Sequence, residues 1–445
     1  MAPGGRLEAA LQRIDPAWVA VTLFITALVV YVGSNPGRAD VYDHFVWQAD
    51  AFLHGRAEIA YPVTEGPYRN AHFQDVLPLP GTGLAQVPFP PLPALVLLPF
   101  VAVFGLGTNG AAVAAVLGAV NLVLCWVMLL AVTPHRSAAL LGTVFYGFGT
   151  VAWYAAMLGT TWFLAHVVAS TFLFLAIAVA VRADHAAMAA RAAAQRRWLG
   201  RQLASGLLFG LAALARLTTL FGAPFFVFVG GGGSWLRRAV SAGLGAAIPV
   251  ALLLLYNLVT TGSLLHPAYE YLYRVEHRPR PELVNPDWGI EDPRYIPQNA
   301  VVMLAWLPER PGLEDPACGD IEMGPHSLLD PSCPILRPDP LGMSVLLTSP
   351  GYLLMLPPLL GWWRRRLVAG AALAVLSIAL VDLMHFSQGW VQFGYRFSND
   401  FAPFAAILVA LGIARLGVGW ISLGLIALSI AVNAWGVYWG VTMGW

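Results

Sequence analysis

Carboxylate and imidazole side chains are concentrated in the stretch that follows the first long apolar run of the chain. Three aspartates and two histidines lie within fifteen residues there: Asp40, Asp43, His44, Asp50 and His54. Side chains of these types can accept protons or bind cations. Apolar residues recur among them at helical spacing, which predicts a helix in the membrane interface with its carboxylates at the water boundary. The alternative is a structural role, with Asp40 or Asp43 capping this helix and Gly55 ending it.

The composition of the chain indicates what positions these side chains, a bundle of membrane-embedded helices. Of the 445 residues, 58% are hydrophobic and only 11% are charged. Several apolar runs reach about 20 residues, the length that spans a bilayer. We therefore predict an all-α polytopic membrane protein in which residues 1–445 form a single transmembrane domain. The formal net charge of +1 leaves no basic stripe for a phosphate backbone, which excludes nucleic acid as a partner.

Arginine placement predicts the orientation of the helices, because short cytoplasmic loops collect positive charge. All 25 basic residues are arginine, in a composition typical of a high-GC bacterial genome, so we expect a multi-pass protein of a bacterial plasma membrane. The densest clusters, in residues 182–201, 237–238 and 364–366, should lie inside. The run at 92–107 contains Pro93 and Pro99, whose missing backbone donors lipid cannot replace, so we predict that it does not cross. About eleven transmembrane helices then remain, with interfacial helices in the first outer loop.

Two large loops then face the outside, residues 35–91 and residues 263–342. The first contains the aspartates and is the predicted active-site region. The second contains thirteen acidic residues against six arginines, together with Cys318 and Cys333. Because these are two of only three cysteines, we predict a disulfide, which would stabilise the loop by about 3 kcal/mol. Two unpaired thiols are the alternative.

The order of motifs along nearly the whole chain resembles the GT-C superfamily of polytopic glycosyltransferases. That superfamily includes the protein O-mannosyltransferases, the aminoarabinose transferases and the catalytic subunits of oligosaccharyltransferases. The matching stretches are Asp43 to Arg56 with its Phe-Leu-His-Gly-Arg ending, Pro88-Phe89-Pro90-Pro91-Leu92-Pro93-Ala94-Leu95, Gly210-Leu211-Ala212-Ala213-Leu214-Ala215-Arg216, Leu255-Tyr256-Asn257 with Thr261-Gly262-Ser263, Thr348-Ser349-Pro350-Gly351, and Gln392-Phe393-Gly394-Tyr395-Arg396-Phe397.

The resemblance implies an inverting transfer of a sugar from a polyprenyl-phosphate-linked donor to a glycan, lipid or protein acceptor at the outer membrane face. An acceptor hydroxyl becomes a good nucleophile when a carboxylate takes its proton. The departing phosphate needs a cation opposite it. The expected partners are therefore this donor, the acceptor and membrane lipid.

The resemblance implies that the catalytic base is an aspartate of the first loop, either Asp43 or Asp40. Some members carry Asp-Glu or Asp-Tyr-Asp here, whereas this chain reads Asp-Val-Tyr-Asp. Asp75 occupies the later part of the loop, where some relatives have a second acidic residue. A divalent cation held by Asp43 or Asp75 with His72 or His266 is a further hypothesis, although the spacing matches no known metal motif.

For the donor phosphate the predicted ligand is Arg396, beside Tyr395, at the outer edge of a span. The alternative for Arg396 is an interfacial anchor that snorkels to the head groups. Arg216 is a second candidate, because an arginine in an apolar span usually faces a cavity or a partner.

A membrane transporter or flippase for a lipid-linked or amphipathic substrate is the competing class. Transporters often show internal repeats and ionisable residues scattered through their helices. This chain has no evident repeat, and its acidic residues concentrate in the outer loops, which favours an outer-face enzyme. A noncatalytic member of the same fold is the third interpretation, since the hydrophobic pattern does not depend on one aspartate.

Overall fold

The computed structural model of this chain describes residues 3–37, 42–62, 75–189, 195–276, 288–311, 318, 327–389 and 391–445. It is mostly helical, at 71%, with little strand, which confirms the predicted all-α polytopic fold class. Within these ranges, six helices are long and apolar enough to cross a membrane, or up to seven if one bent pair forms a single span. The predicted count of eleven is not confirmed by helix length and stays a prediction.

The first part of the chain contains an amphipathic helix, a long apolar helix and the small elements of the loop that follows it. In order these are α1 (Pro3–Arg13), α2 (Pro16–Ser34), α3 (His44–Leu53), β1 (Ile59–Ala60), β2 (Leu77–Leu79), β3 (Leu84–Gln86) and α4 (Leu92–Phe104). The strands pair antiparallel in the order β1-β3-β2. The helix predicted from the spacing of apolar residues after Asp43 is therefore present as α3.

The middle of the chain supplies the first half of the helix bundle. Its helices are α5 (Gly110–Val132), α6 (Arg136–Phe148), α7 (Ala152–Leu158), α8 (Thr161–Ala189), α9 (Gln195–Ala213), α10 (Pro224–Phe228) and α11 (Trp235–Thr261). A bend of 51° separates α6 from α7. The Thr150 hydroxyl at this bend donates to the Tyr146 carbonyl at 2.6 Å. A 3-10 helix at Leu217–Gly222 joins α9 to α10, so the apolar stretch over residues 203–234 does not form two long helices.

The last part of the chain completes the bundle around one central helix. Its helices are α12 (Ala268–Glu276), α13 (Ile296–Ala305), α14 (Val345–Thr348), α15 (Leu356–Trp362), α16 (Arg366–Asp382), α17 (Ser398–Leu416) and α18 (Trp420–Thr442). The apolar window of α17 is 83% buried against 22% for α2, which makes α17 the centre of the bundle. Pro350, Pro357 and Pro358 divide the run at 343–361 into short helices, because proline cannot donate a helix hydrogen bond.

The proline-rich helix α4 begins and ends at the same end of the bundle. The indole of Trp126, near the end of α5, donates to the carbonyl of Pro16 at 3.1 Å, and Tyr31 packs beside Gly118 near the start of α5. Thus α5 begins where α2 ends, and α4, which lies between them in the chain, does not traverse the bundle. Its 13 residues would reach only about 20 Å, less than a bilayer core. We name this end of the bundle the α3 end and the opposite one the α1 end.

The loop between α13 and α14 is bonded to α18. The structure joins Cys318 to Cys333 by a disulfide bond, which confirms that prediction. Between the two cysteines, the carbonyl of Leu328 accepts hydrogen bonds from the indoles of Trp435 and Trp439 at 3.2 and 3.1 Å. The disulfide therefore closes a segment that packs against the α3 end of α18.

Replacing both bridging cysteines, as C318S/C333S, should make this loop easier to cleave and the protein easier to unfold. A disulfide closing a loop of this size restricts the unfolded chain by about 3 kcal/mol. Limited proteolysis and denaturant unfolding in detergent would measure both effects. Reduction of the wild type provides the control, because it should reproduce the variant's behaviour without affecting the variant itself. Equal protease resistance before and after reduction would contradict this role of the disulfide.

Candidate functional site

Thr161, the first residue of α8, fixes the two residues that flank Asp43. Its hydroxyl donates to the carbonyl of Tyr42 at 2.7 Å and accepts from the backbone N–H of His44 at 3.2 Å. The Nδ1 atom of His44 lies 2.7 Å from the same hydroxyl. Since the hydroxyl has one proton and the carbonyl can only accept, His44 Nδ1–H must be the donor in this third contact. Thr161 thus fixes the backbone on both sides of Asp43.

Asp43 itself is almost fully buried, with 3% of its surface exposed. It occupies the N-cap position of α3, yet its side chain makes no capping hydrogen bond, so capping does not explain its presence. It lines a narrow cavity with Tyr42, Val46 and Thr161. A negative charge at this place benefits from the N-terminal dipole of α3. The alternative base, Asp40, lies outside the described residues.

Trp162, the second residue of α8, contacts three of the predicted site regions. Its indole N–H donates to Asp75 Oδ2 at 2.9 Å. Its ring centroid lies 5.0 Å from that of Tyr42 and 5.7 Å from that of His44. The Cζ atom of Arg396 lies 6.0 Å from the Trp162 ring centroid. The Asp43 segment, Asp75 and Arg396 therefore converge on one aromatic side chain.

Arg396 is half-buried among aromatic rings. Its Cζ atom lies 5.9 Å from the ring centroid of Phe163 and 5.3 Å from that of Phe397. Gly389 has a φ of +89°, and a Cβ there would come within 2.9 Å of the Arg396 guanidinium, so glycine permits this close approach. The neighbouring Tyr395 is fully buried and donates its hydroxyl proton to Gln388 at 2.6 Å, which fixes the loop before α17.

Arg216 is engaged by a carboxylate that sequence reasoning missed, Asp400 in α17. The Nη2 atom of Arg216 donates to Asp400 Oδ2 at 2.8 Å, and its Nε atom lies 3.2 Å from both carboxylate oxygens. Asp400 also accepts from the Thr218 hydroxyl at 2.5 Å and lies 2.8 Å from His166 Nδ1. The sequence could have indicated Asp400 as a partner of Arg216, because ionisable side chains in apolar segments usually face one another. Arg216 is thus charge-compensated in this structure.

A second buried carboxylate, Asp382 at the end of α16, lies near this cluster. Both of its oxygens are buried without a hydrogen-bond partner among the described residues. Beside it, Glu291 Oε1 lies 2.6 Å from His385 Nδ1. A buried polar group without a hydrogen-bond partner is costly, so a ligand that hydrogen-bonds to Asp382 would be stabilised there.

The predicted metal ligands are Asp43 or Asp75 together with His72 or His266. The part of the chain that the structure describes contains no group of three or more His, Cys, Asp and Glu side chains that could hold a metal ion. His266 is buried and accepts a hydrogen bond from the N–H of Ala268 at 3.2 Å. Burial lowers the pKa of His266 to about 4, so it is neutral at neutral pH. His72 lies outside the described residues, and the divalent cation stays a prediction.

Comparison with known proteins finds similarity in solved structures but not in sequence. No protein-family model and no curated protein matches the chain. ArnT from Cupriavidus metallidurans, bound to undecaprenyl phosphate, is similar at 16% identity and a TM-score of 0.49, over 96% of this chain and 76% of ArnT.

The archaeal oligosaccharyltransferase of Archaeoglobus fulgidus is similar in two structures. Its apo form aligns at 13% identity and a TM-score of 0.48, over 95% of this chain and 55% of that protein. The structure of AglB in complex with an inhibitory peptide and a dolichol-phosphate aligns at 12% identity and a TM-score of 0.46. This alignment covers 96% of this chain and 56% of AglB. This chain therefore spans about half the length of that enzyme. ArnT and AglB are GT-C superfamily membrane glycosyltransferases, the superfamily that the sequence motifs resemble.

Removing the charge of Asp400, as D400N, should strongly destabilise the bundle. Arg216 would keep its charge in a mostly buried position without a carboxylate, which costs about 3–5 kcal/mol. Unfolding in detergent would measure the loss, and R216Q/D400N should recover much of it, because no lone charge remains. The matched control is E270Q, which breaks the exposed pair of Glu270 with Arg274 and should cost less than about 1 kcal/mol. Equal effects of D400N and E270Q would contradict the buried-pair interpretation.

Proposed function

We propose that this multi-pass membrane protein is a glycosyltransferase that uses a polyprenyl-phosphate-linked sugar donor and acts at the α3 end of the bundle. We assign this end to the outer face of the membrane. The observation that carries the proposal is the convergence on Trp162, because it brings the segment of a buried aspartate and a half-buried arginine to one place. Undecaprenyl phosphate and dolichol phosphate, the lipids named with ArnT and AglB, belong to the same chemical class as the proposed donor lipid.

In the proposed reaction Asp43 is the general base. The acceptor hydroxyl attacks the anomeric carbon of the donor sugar and gives its proton to the Asp43 carboxylate. The bond between the anomeric carbon and the phosphate oxygen breaks, and both bonding electrons leave with the polyprenyl phosphate. A single displacement of this kind inverts the configuration at the anomeric carbon.

Arg396 is the proposed ligand of the donor phosphate. Half-burial among aromatic rings reduces the screening of its charge, so a hydrogen-bonded phosphate would gain more there than at an exposed arginine. Arg216, already paired with Asp400, contributes little net charge. Instead its Cζ atom lies 5.3 Å from the Phe397 ring centroid, the distance at which Arg396 contacts the same ring. We therefore assign Arg216 a positioning role behind Arg396.

Changing Asp43 and Arg396 should impair different steps. D43N keeps the size of the side chain but cannot take the hydroxyl proton, so kcat should fall about a hundredfold or more while donor binding persists. R396A should instead raise the KM for the donor, because the phosphate loses its charge-assisted partner. A reconstituted transfer assay with lipid-linked sugars, together with donor binding measured separately, would test this. Near-normal transfer by D43N would make Asp40 the candidate base. Normal behaviour of both variants would contradict the proposed glycosyltransferase function.

The contact of Thr161 with both neighbours of Asp43 provides an independent test. T161V removes the hydroxyl that fixes Tyr42 and His44, so the carboxylate should lose its position and kcat should fall by about tenfold to a hundredfold. T161S keeps the hydroxyl and should retain most of the activity. Donor binding should be similar in both variants, since neither touches Arg396. Equal turnover by the valine and serine variants would show that the hydroxyl does not position the base.

A further inference from the structure

Two arginines at the α1 end, opposite the candidate active site, share one aromatic ring. The Cζ atoms of Arg365 and Arg415 lie 4.0 and 5.0 Å from the ring centroid of Trp362, so they can be no more than 9.0 Å apart. A third arginine, Arg364, lies 5.1 Å from the ring centroid of Trp363. Three guanidinium groups are therefore gathered around two adjacent tryptophans.

The approach of Arg415 to this place depends on a glycine. A Cβ at Gly361 would lie 2.2–2.3 Å from the guanidinium atoms of Arg415, which no side chain could tolerate without displacing it. The guanidinium therefore lies directly against the backbone of α15 instead of extending away from the protein. Two adjacent residues, Gly361 and Trp362, thus provide the space and the aromatic ring for the Arg415 guanidinium.

No carboxylate balances these charges among the residues that the structure describes. None of the ion pairs there includes Arg364, Arg365 or Arg415, whereas Arg366, the next residue, lies 3.6 Å from Asp184. Like charges that share one ring repel each other, and an anion placed between them would remove this cost. The cluster thus has the charge and geometry of an anion site.

The surface beside the cluster is apolar and exposed. Leu360 in α15 is 80% exposed, and Trp420 at the start of α18 is 84% exposed. Arg415 lies in the last turn of α17, and Val418, three residues further on, packs against Gly4 of α1. In a membrane protein, lipid acyl chains contact exposed apolar surfaces of this kind. The guanidinium groups beside this surface would then lie at the depth of the lipid head groups.

We propose that Arg364, Arg365 and Arg415 form a binding site for an anionic phospholipid in the leaflet at the α1 end. The phosphate is held between the guanidinium groups that share Trp362, and the acyl chains follow the exposed apolar side of α15. The site is separate from the donor site proposed at the α3 end, and it does not depend on that function.

Native mass spectrometry of the full-length, delipidated protein in neutral detergent would test this proposal. We expect phosphatidylglycerol to bind in preference to phosphatidylcholine. The variant R364Q/R365Q/R415Q should bind phosphatidylglycerol about a hundredfold more weakly, because each arginine near an anionic lipid contributes several-fold to affinity. The control R6Q/R13Q/R237Q removes the same number of charges at the same end and should stay within about threefold of the wild type.

A second variant keeps the test informative if the triple variant does not fold. Gly361→Ala retains all three charges but displaces Arg415, so it should also weaken binding of phosphatidylglycerol. Equal losses in the cluster variant and the control would reduce the effect to net charge and overturn the proposal. Unchanged binding by Gly361→Ala, or equal binding of the two phospholipids by the wild type, would overturn it as well. Displacement of the lipid by inorganic phosphate at equal concentration would instead indicate a simple anion site.

Discussion

The arrangement of the α3 end depends on one buried charge, the carboxylate of Asp400. In an apolar bundle such a group is costly unless several donors surround it. Its donors come from separate parts of the chain: His166 from α8, and Arg216 and Thr218 from the connection after α9. Because the charge can be satisfied only when these segments meet, Asp400 fixes the central helix α17 against both of them.

The break after α9 is what allows this pairing. The helix ends at Ala213, and the chain continues through the 3-10 helix at Leu217–Gly222. Arg216 lies in the gap, where its side chain reaches across to α17. In the same gap, the carbonyl of Leu214 accepts a hydrogen bond from the N–H of Leu92 at 3.1 Å, so the start of α4 is attached there too. This interruption thus connects the buried ion pair to the start of α4.

Helix α8 links residues at two depths of the bundle. At the level of the loop, Thr161 fixes the backbone around Asp43, and Trp162 joins that segment to Asp75 and Arg396. Deeper in α8, His166 contacts Asp400. Because Thr161, Trp162 and His166 lie within two turns of the same helix, α8 sets the distance between the proposed base region and the buried ion pair.

The amino-acid sequence by itself determined the fold class of the protein and predicted the loop in which a site should lie. The apolar runs required helices, because only internally hydrogen-bonded segments are stable in lipid. Pro93 and Pro99 indicated the helix that does not traverse the bundle, and Cys318 and Cys333 indicated the disulfide. These features are local or compositional, so they can be recognised without knowing which segments become neighbours.

Only the tertiary structure decided which side chains meet. Asp400 and Trp162 gain their importance from partners in distant segments, such as Arg216, 184 positions from Asp400. The sequence suggested Arg216 as a ligand-binding group, but the fold neutralises it with a buried carboxylate. Contacts between distant segments depend on how the helices pack, and a pattern of apolar residues identifies the buried face without identifying its partner.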